Sequence, residues 1–198
     1  MINFLAKKTL DYLVKHNGTP ADSSSEYEWL RYGVEIIYSS LVATVVILCI
    51  SIVMKSFISG LLFILVFVTT RQYTGGFHAN TFLACNLISA ACFFTLIVLC
   101  KFTHRFFDLK WSILIALVEL LIAIVIFPVS NKNKPIRSRF KYRMCKIVGL
   151  FLFVLYSVFG IYISMYNTEY GVTIQYTLHL IVGFGVIGFF QERRSNIE

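Results

Sequence analysis

The sequence predicts an all-α polytopic membrane protein with six transmembrane helices and an N-terminal amphipathic interfacial helical region. Three observations carry that expectation. The 198 residues are 58% hydrophobic and only 14% charged, too little charge to clothe a soluble domain of this length. A helix crossing a hydrocarbon core of ~30 Å needs about 20 apolar residues, and five stretches reach or nearly reach that length. Lysine and arginine, finally, are divided unequally among the segments between the stretches.

Residues 1–33 do not span. Phe4, Leu5, Leu13 and Val14 are interleaved with Lys7, Lys8, Asp11 and Lys15, the pattern of a helix lying in the interface. Asn17-Gly18-Thr19-Pro20 ends it. Ser23-Ser24-Ser25-Glu26 then reads as the cap of a second short helix through Tyr32, with Trp29 and Tyr32 suited to the headgroup level. This start does not read as a signal peptide, because Lys7 and Lys8 follow only a short apolar start.

The transmembrane domain covers residues 34–190, with approximate spans 34–54, 57–70, 81–100, 111–129, 147–166 and 172–190. A basic loop at 131–146 and a tail at 191–198 complete the chain. The second span is short, with 14 residues from Phe57 to Thr70, and is completed only by running into Arg71 and beyond. The charge count supports its inclusion. With six spans, Lys7, Lys8, Lys15, Arg31, Arg71, the seven basic residues from Lys132 to Lys146, Arg193 and Arg194 all fall on one side. Only Lys55, Lys101, Arg105 and Lys110 fall on the other. The positive-inside rule then places both termini in the cytoplasm.

The net charge of +8 is therefore explained by orientation and anionic lipid, and nucleic acid is not an expected partner. Cys49, Cys85, Cys92, Cys100 and Cys145 contain no CxxC pair, so neither a disulfide framework nor a metal site is expected. No cofactor is called for.

Arg71-Gln72-Tyr73-Thr74-Gly75-Gly76-Phe77-His78-Ala79-Asn80 is the most unusual segment. Its adjacent glycines permit a tight turn or close backbone approach. Backbone at membrane depth must be satisfied by protein or line a wet cavity, so Arg71 and His78 mark a polar pocket. A histidine can convert a cysteine to a nucleophilic thiolate. His78 and Cys85 are seven residues apart, roughly 10 Å on one continuous helix, too far for a hydrogen bond. If the helix begins near Asn80 or Thr81, however, His78 can fold back over its first turns. The competing reading is that Cys85 is packing and His78 an interfacial anchor. Cys49, Cys92 and Cys100 read as structural, and His16, His104 and His179 as non-catalytic.

Glu119 lies midway along an apolar span and is costly there unless paired or protonated. It supports a rival function, a small peptide or ion transporter using Glu119 as a ligand. Glu35, at the start of the first span, is a candidate to neutralise a basic partner. The basic residues Lys132, Lys134, Arg137, Arg139, Lys141 and Arg143 read either as a topology determinant and lipid anchor or as a site for an acidic substrate segment.

The segment RQYTGGFHANTFLAC, Arg71 to Cys85, resembles the accessory gene regulator B (AgrB) family of membrane cysteine endopeptidases. The likeness rests on Arg71, Gly75-Gly76, His78-Ala79 and Cys85. It continues in the N-terminal region, in Tyr32-Gly33-Val34-Glu35 and in Asn133-Lys134-Pro135. Thr74 stands where many members carry another small residue. The resemblance implies a multi-pass protein of a bacterial plasma membrane, acting as a homodimer on an AgrD-like quorum-sensing pro-peptide. It implies cleavage of the peptide's C-terminal tail by Cys85, with His78 as general base and acid and Arg71, Gly75 and Gly76 shaping the pocket. The peptide would be retained as a thioester and then closed into a thiolactone or lactone ring.

Overall fold

The computed structural model describes residues 7–12, 24–77, 79, 81–129 and 138–195. Helix α1 covers residues 7–12. It is followed by α2 (Ser24–Val53), α3 (Phe57–Thr74), α4 (Phe82–Thr103), α5 (Leu109–Ile126), α6 (Arg139–Ser164) and α7 (Thr168–Ser195), with a 3-10 turn at His104–Phe106. Six of these helices are long and apolar enough to cross a membrane. The all-α polytopic expectation holds, and the chain is a multi-pass membrane protein.

The helix ends depart from the apolar stretches for local reasons. α2 starts at Ser24 and passes Tyr32 and Gly33 without a break, so the expected short helix and the first span form one element. A lone glycine costs a helix about 1 kcal/mol, less than starting a new one requires. α3 runs through Arg71 to Thr74, which gives the short second stretch its 18 residues. α5 begins at Leu109 because the Asp108 side chain accepts from the Lys110 N–H at 2.8 Å. It stops at Ile126 because Pro128 keeps Phe127 extended. α6 starts at Arg139, well before the apolar run at Ile147.

The chain forms two compact units. One holds the described residues of Met1–Val46 and Ala79–Ala90. In it Leu10 is buried while Lys7, Lys8, Asp11 and Tyr12 are exposed, so α1 presents one apolar face. The Thr9 and Tyr38 hydroxyls are 2.8 Å apart, and Tyr27 donates to Asp11 Oδ1 at 2.9 Å. That hydrogen bond to a carboxylate raises the Tyr27 phenol above its ordinary value.

The other unit holds Ile47–His78 and Ala91–Glu198. Its organising element is α7: 56% of the span Thr168–Arg193 is buried, against 11% of α5. α7 packs on α3, α5 and α6. One core joins Val66, Ala123, Phe127, Phe153, Ile174, Leu178 and Ile181, and a second joins Ile47, Phe63, Phe93, Leu96 and Ile97. Several buried hydroxyls are satisfied within their own helices. Thr173 donates to the Glu169 carbonyl at 2.8 Å, Thr177 to Thr173 at 2.7 Å and Ser164 to Gly160 at 2.8 Å. Leu114, Leu117, Leu121 and Val125 of α5 are exposed at helical spacing, a face suited to lipid.

Candidate active site

The Arg71–Phe77 segment is built by the C-terminus of α3. The Gly75 N–H donates to the Arg71 carbonyl at 3.1 Å and ends the helix. Gly75 has φ 69° and ψ −146°, a conformation open essentially to glycine alone. It forms an isolated parallel bridge with Val129, whose N–H donates to the Thr74 carbonyl at 2.9 Å. A Cβ on Gly75 would lie 2.2 Å from the Val129 carbonyl oxygen. Gly76 follows at φ 122°, and the Phe77 N–H then donates to the Phe184 carbonyl of α7 at 2.9 Å. Gly188 permits this approach, for a Cβ there would sit 2.7 Å from the Gly76 carbonyl carbon.

Arg71 completes the turn. Its guanidinium donates to the Phe77 carbonyl and lies 5.2 Å from the Phe67 ring centre and 4.8 Å from that of Phe184. The backbone at this depth is thus satisfied by protein groups, as a membrane requires. Arg71, Gly75 and Gly76 are brought together as one locked turn.

Cys85 belongs to the other unit. Thr81 caps α4: its Oγ1 accepts from the Ala84 N–H at 3.2 Å and its carbonyl from the Cys85 N–H at 3.0 Å. Cys85 is the fourth residue of the helix, with a half-buried, unoxidised thiol. The turn carrying it is fixed to α2, where Ser39 Oγ donates to Asn86 Oδ1 at 3.1 Å and the Tyr32 and Phe82 ring centres are 6.3 Å apart. Glu35, on the same stripe of α2, is buried and paired with Arg31 at 3.0 Å.

His78, Lys132, Lys134 and Arg137 lie outside the described residues. Arg139, Lys141 and Arg143 occupy the first turns of α6 and are exposed. Three cations at a helix N-terminus oppose the macrodipole, so helix stability does not explain them. Cys100 is structural: its Sγ lies 3.3 Å from the Glu169 carbonyl and 3.5 Å from Thr173 Oγ1.

One pair escaped sequence reasoning. Glu119 Oε1 and His179 Nδ1 lie 2.6 Å apart inside the two spans, without the alignment of a hydrogen bond. The legible signal was depth, since Glu119 is the eleventh residue of α5 and His179 the twelfth of α7.

The family model described as accessory gene regulator B matches residues 6–189 of the chain. The chain belongs to that family. Membership covers the glycine turn, Cys85 and all six apolar helices. Among accessory gene regulator B relatives, the chain is 27% identical to the putative AgrB-like protein 2 of Clostridium perfringens (strain 13 / Type A) over 166 residues, 79% of this chain and 76% of the relative. It is 26% identical to the accessory gene regulator protein B of Staphylococcus intermedius over 135 residues, 67% and 69% of the two chains. Identity to that of Staphylococcus epidermidis is 28% over 126 residues, 63% and 62%. No solved structure matches the chain.

Proposed function

We propose that this protein is a membrane cysteine endopeptidase that processes an AgrD-like quorum-sensing pro-peptide. The observation that carries the reading is family membership in a chain whose Cys85 sits half-buried on a capped first helical turn. His78 takes the thiol proton, and the Cys85 sulfur attacks the scissile carbonyl carbon. The C–N bond breaks as His78 protonates the departing amine, which leaves the N-terminal part of the peptide as a thioester. A thiol or hydroxyl within that peptide then gives its proton to His78 and attacks the thioester carbonyl. The ring closes, and Cys85 leaves as thiolate and is reprotonated. Exclusion of bulk water favours this internal attack over hydrolysis.

Arg71, Gly75 and Gly76 act here as positioning residues, because the turn they lock hands the chain directly to His78. The exposed Arg139, Lys141 and Arg143, with Lys132, Lys134 and Arg137, receive the acidic tail of the pro-peptide or anionic lipid. The distribution of basic residues puts both termini and the active site on the cytoplasmic side of a bacterial plasma membrane, where a newly made peptide arrives. A C-terminal reporter active only in the cytoplasm tests that orientation. The acting form is a homodimer, to be tested by cross-linking in native membranes.

The deciding experiment incubates purified protein in proteoliposomes with a matching pro-peptide and seeks the Cys85 thioester by mass spectrometry. Cys85→Ala inserts normally but gives no adduct and no cleavage. Cleavage that continues in this variant defeats the proposal. Substrate flux that survives Cys85→Ala but requires Glu119 establishes the transporter instead.

A further inference from the structure

We propose that the side-chain amide of Asn86 is an oxyanion donor for acylation of Cys85, held in place by Ser39 of α2. The inference deepens the endopeptidase reading and rests on Cys85 as the nucleophile.

Acyl transfer to a thiolate has an electrostatic requirement that a nucleophile and a base do not meet. When the Cys85 sulfur bonds to the scissile carbonyl carbon, the carbonyl π pair moves to oxygen, which stays negative until the C–N bond breaks. The proton that leaves the thiol goes to the departing amine, so hydrogen bonds alone stabilise that oxygen. A site that excludes bulk water has to supply them from the protein.

Most of the backbone around the thiol is already committed. The Ala84 N–H donates to Thr81 Oγ1 at 3.2 Å and the Cys85 N–H to the Thr81 carbonyl at 3.0 Å. Asn86, one residue further into α4, gives its N–H to the helix ladder. The donors left on this turn are the helix-initial amides of Phe82 and Leu83 and the Asn86 side chain.

Three observations single out that side chain. Asn86 follows the nucleophile directly and lies about 100° round α4 from it, beside the sulfur rather than on it. An oxyanion donor has to meet the oxygen on the attacked carbon and not the nucleophile itself. Its orientation is fixed, since Ser39 Oγ donates to Asn86 Oδ1 at 3.1 Å and Ser39 is 7% exposed. A hydroxyl has one proton to give. By spending it on the amide oxygen, Ser39 leaves the two Nδ2 protons for another partner. Those donors, finally, are unspent: no acceptor among the described residues takes them, and Asn86 is only half-buried. Glu35, one turn before Ser39 on α2, is the carboxylate that could compete for them, and it is held by Arg31 at 3.0 Å.

The Ser39–Asn86 bond could also serve only to join two helices, and the experiment separates the roles. It measures single-turnover formation of the Cys85 thioester by the full chain in proteoliposomes with saturating matching pro-peptide. Asn86→Ala and Ser39→Ala both remove the bond between α2 and α4, but only the first removes the donors. Asn86→Ala should slow acylation about 100- to 1,000-fold, the usual effect of losing one oxyanion donor, with the half-saturating peptide concentration unchanged. Ser39→Ala should slow it only about threefold, the effect of one intramembrane hydrogen bond. Alkylation of Cys85 by iodoacetamide, a displacement at saturated carbon that forms no oxyanion, should keep the parent rate in both. If Asn86→Ala does not insert, Asn86→Asp, which keeps an oxygen for Ser39 and loses the N–H donors, should show the same loss. Equal losses in the alanine variants, or a loss at Asn86 matched by slower alkylation, make Asn86 a helix contact and overturn the proposal. Parent-like acylation by Asn86→Ala also overturns it and leaves the Phe82 and Leu83 amides as the donors. A parent alkylated at Cys85 that forms no thioester refutes the endopeptidase reading, and the proposal with it.

Discussion

Replacing Gly75 by alanine probes how the turn before His78 is held. The residue sits at φ 69° and ψ −146°, and an L-residue pays about 1–3 kcal/mol to remain there. The added Cβ would also stand 2.2 Å from the Val129 carbonyl oxygen, so the Val129 backbone has to withdraw. Withdrawal breaks the Val129–Thr74 hydrogen bond, worth about 1 kcal/mol net. The sum, about 2–4 kcal/mol, corresponds to roughly a 30- to 700-fold loss in the population of the closed turn. Amide hydrogen exchange reads this directly, and protection at Phe77 and Val129 should fall by that order. The rate of Cys85 adduct formation should fall at least about tenfold with membrane insertion unchanged. Gly33→Ala is the control: a Cβ there meets nothing within 4 Å, inside α2. It should leave adduct formation unchanged and stability equal or higher by up to about 1 kcal/mol. Parent-level exchange and adduct rate in Gly75→Ala would refute the reasoning.

The remaining expectations concern single contacts. Arg71→Lys keeps the charge but loses the flat group between Phe67 and Phe184, so it should destabilise the turn by about 1–3 kcal/mol in thermal unfolding. Full retention of the melting temperature would show that charge alone suffices. Ser39→Ala removes the bond to Asn86, and a loss of about 0.6–1 kcal/mol is expected, with slower adduct formation as the turn carrying Cys85 loosens. Replacing Arg139, Lys141 and Arg143 together by glutamine should weaken binding to an acidic peptide or to anionic vesicles by about 3 kcal/mol at low salt, about 100-fold. Equal binding by the variant and the parent would remove these residues from the proposed anion site.

The fold was legible because hydrocarbon imposes a simple length rule that five apolar stretches meet or nearly meet, and the division of basic residues brings in the sixth. The ends of the helices were less so. The apolar run ends at Arg71, and α3 runs through it as the short span requires, its guanidinium set between Phe67 one turn back and Phe184 on α7. The first of these partners is visible at i−4, whereas the second is 113 positions along the chain. The start of α4 was readable, since Thr81 is a good cap and the chain before it holds two glycines. Ser39 and Asn86 were not, because nothing in either segment announces the other. Glu119 stands out in the sequence and His179 does not, and bringing them together required comparing depth in two helices that are not consecutive.

Positioning and chemistry are divided along this chain in a way that bears on how its variants should be read. Arg71, Gly75 and Gly76 spend their polar groups and backbone freedom on the turn itself, closing it against Val129 and Phe184. None is left as an obvious proton carrier. Substitutions there act through where residue 78 is delivered, so they should lower the rate of acylation without changing the pH at which it is half-maximal. Loss of the histidine itself should change the form of that pH profile, because the thiol must then ionise unaided. A Gly75→Ala enzyme that is slow but keeps the parent's pH dependence fits a positioning turn. A shifted profile would instead make the turn part of the proton relay, and Arg71 its first suspect.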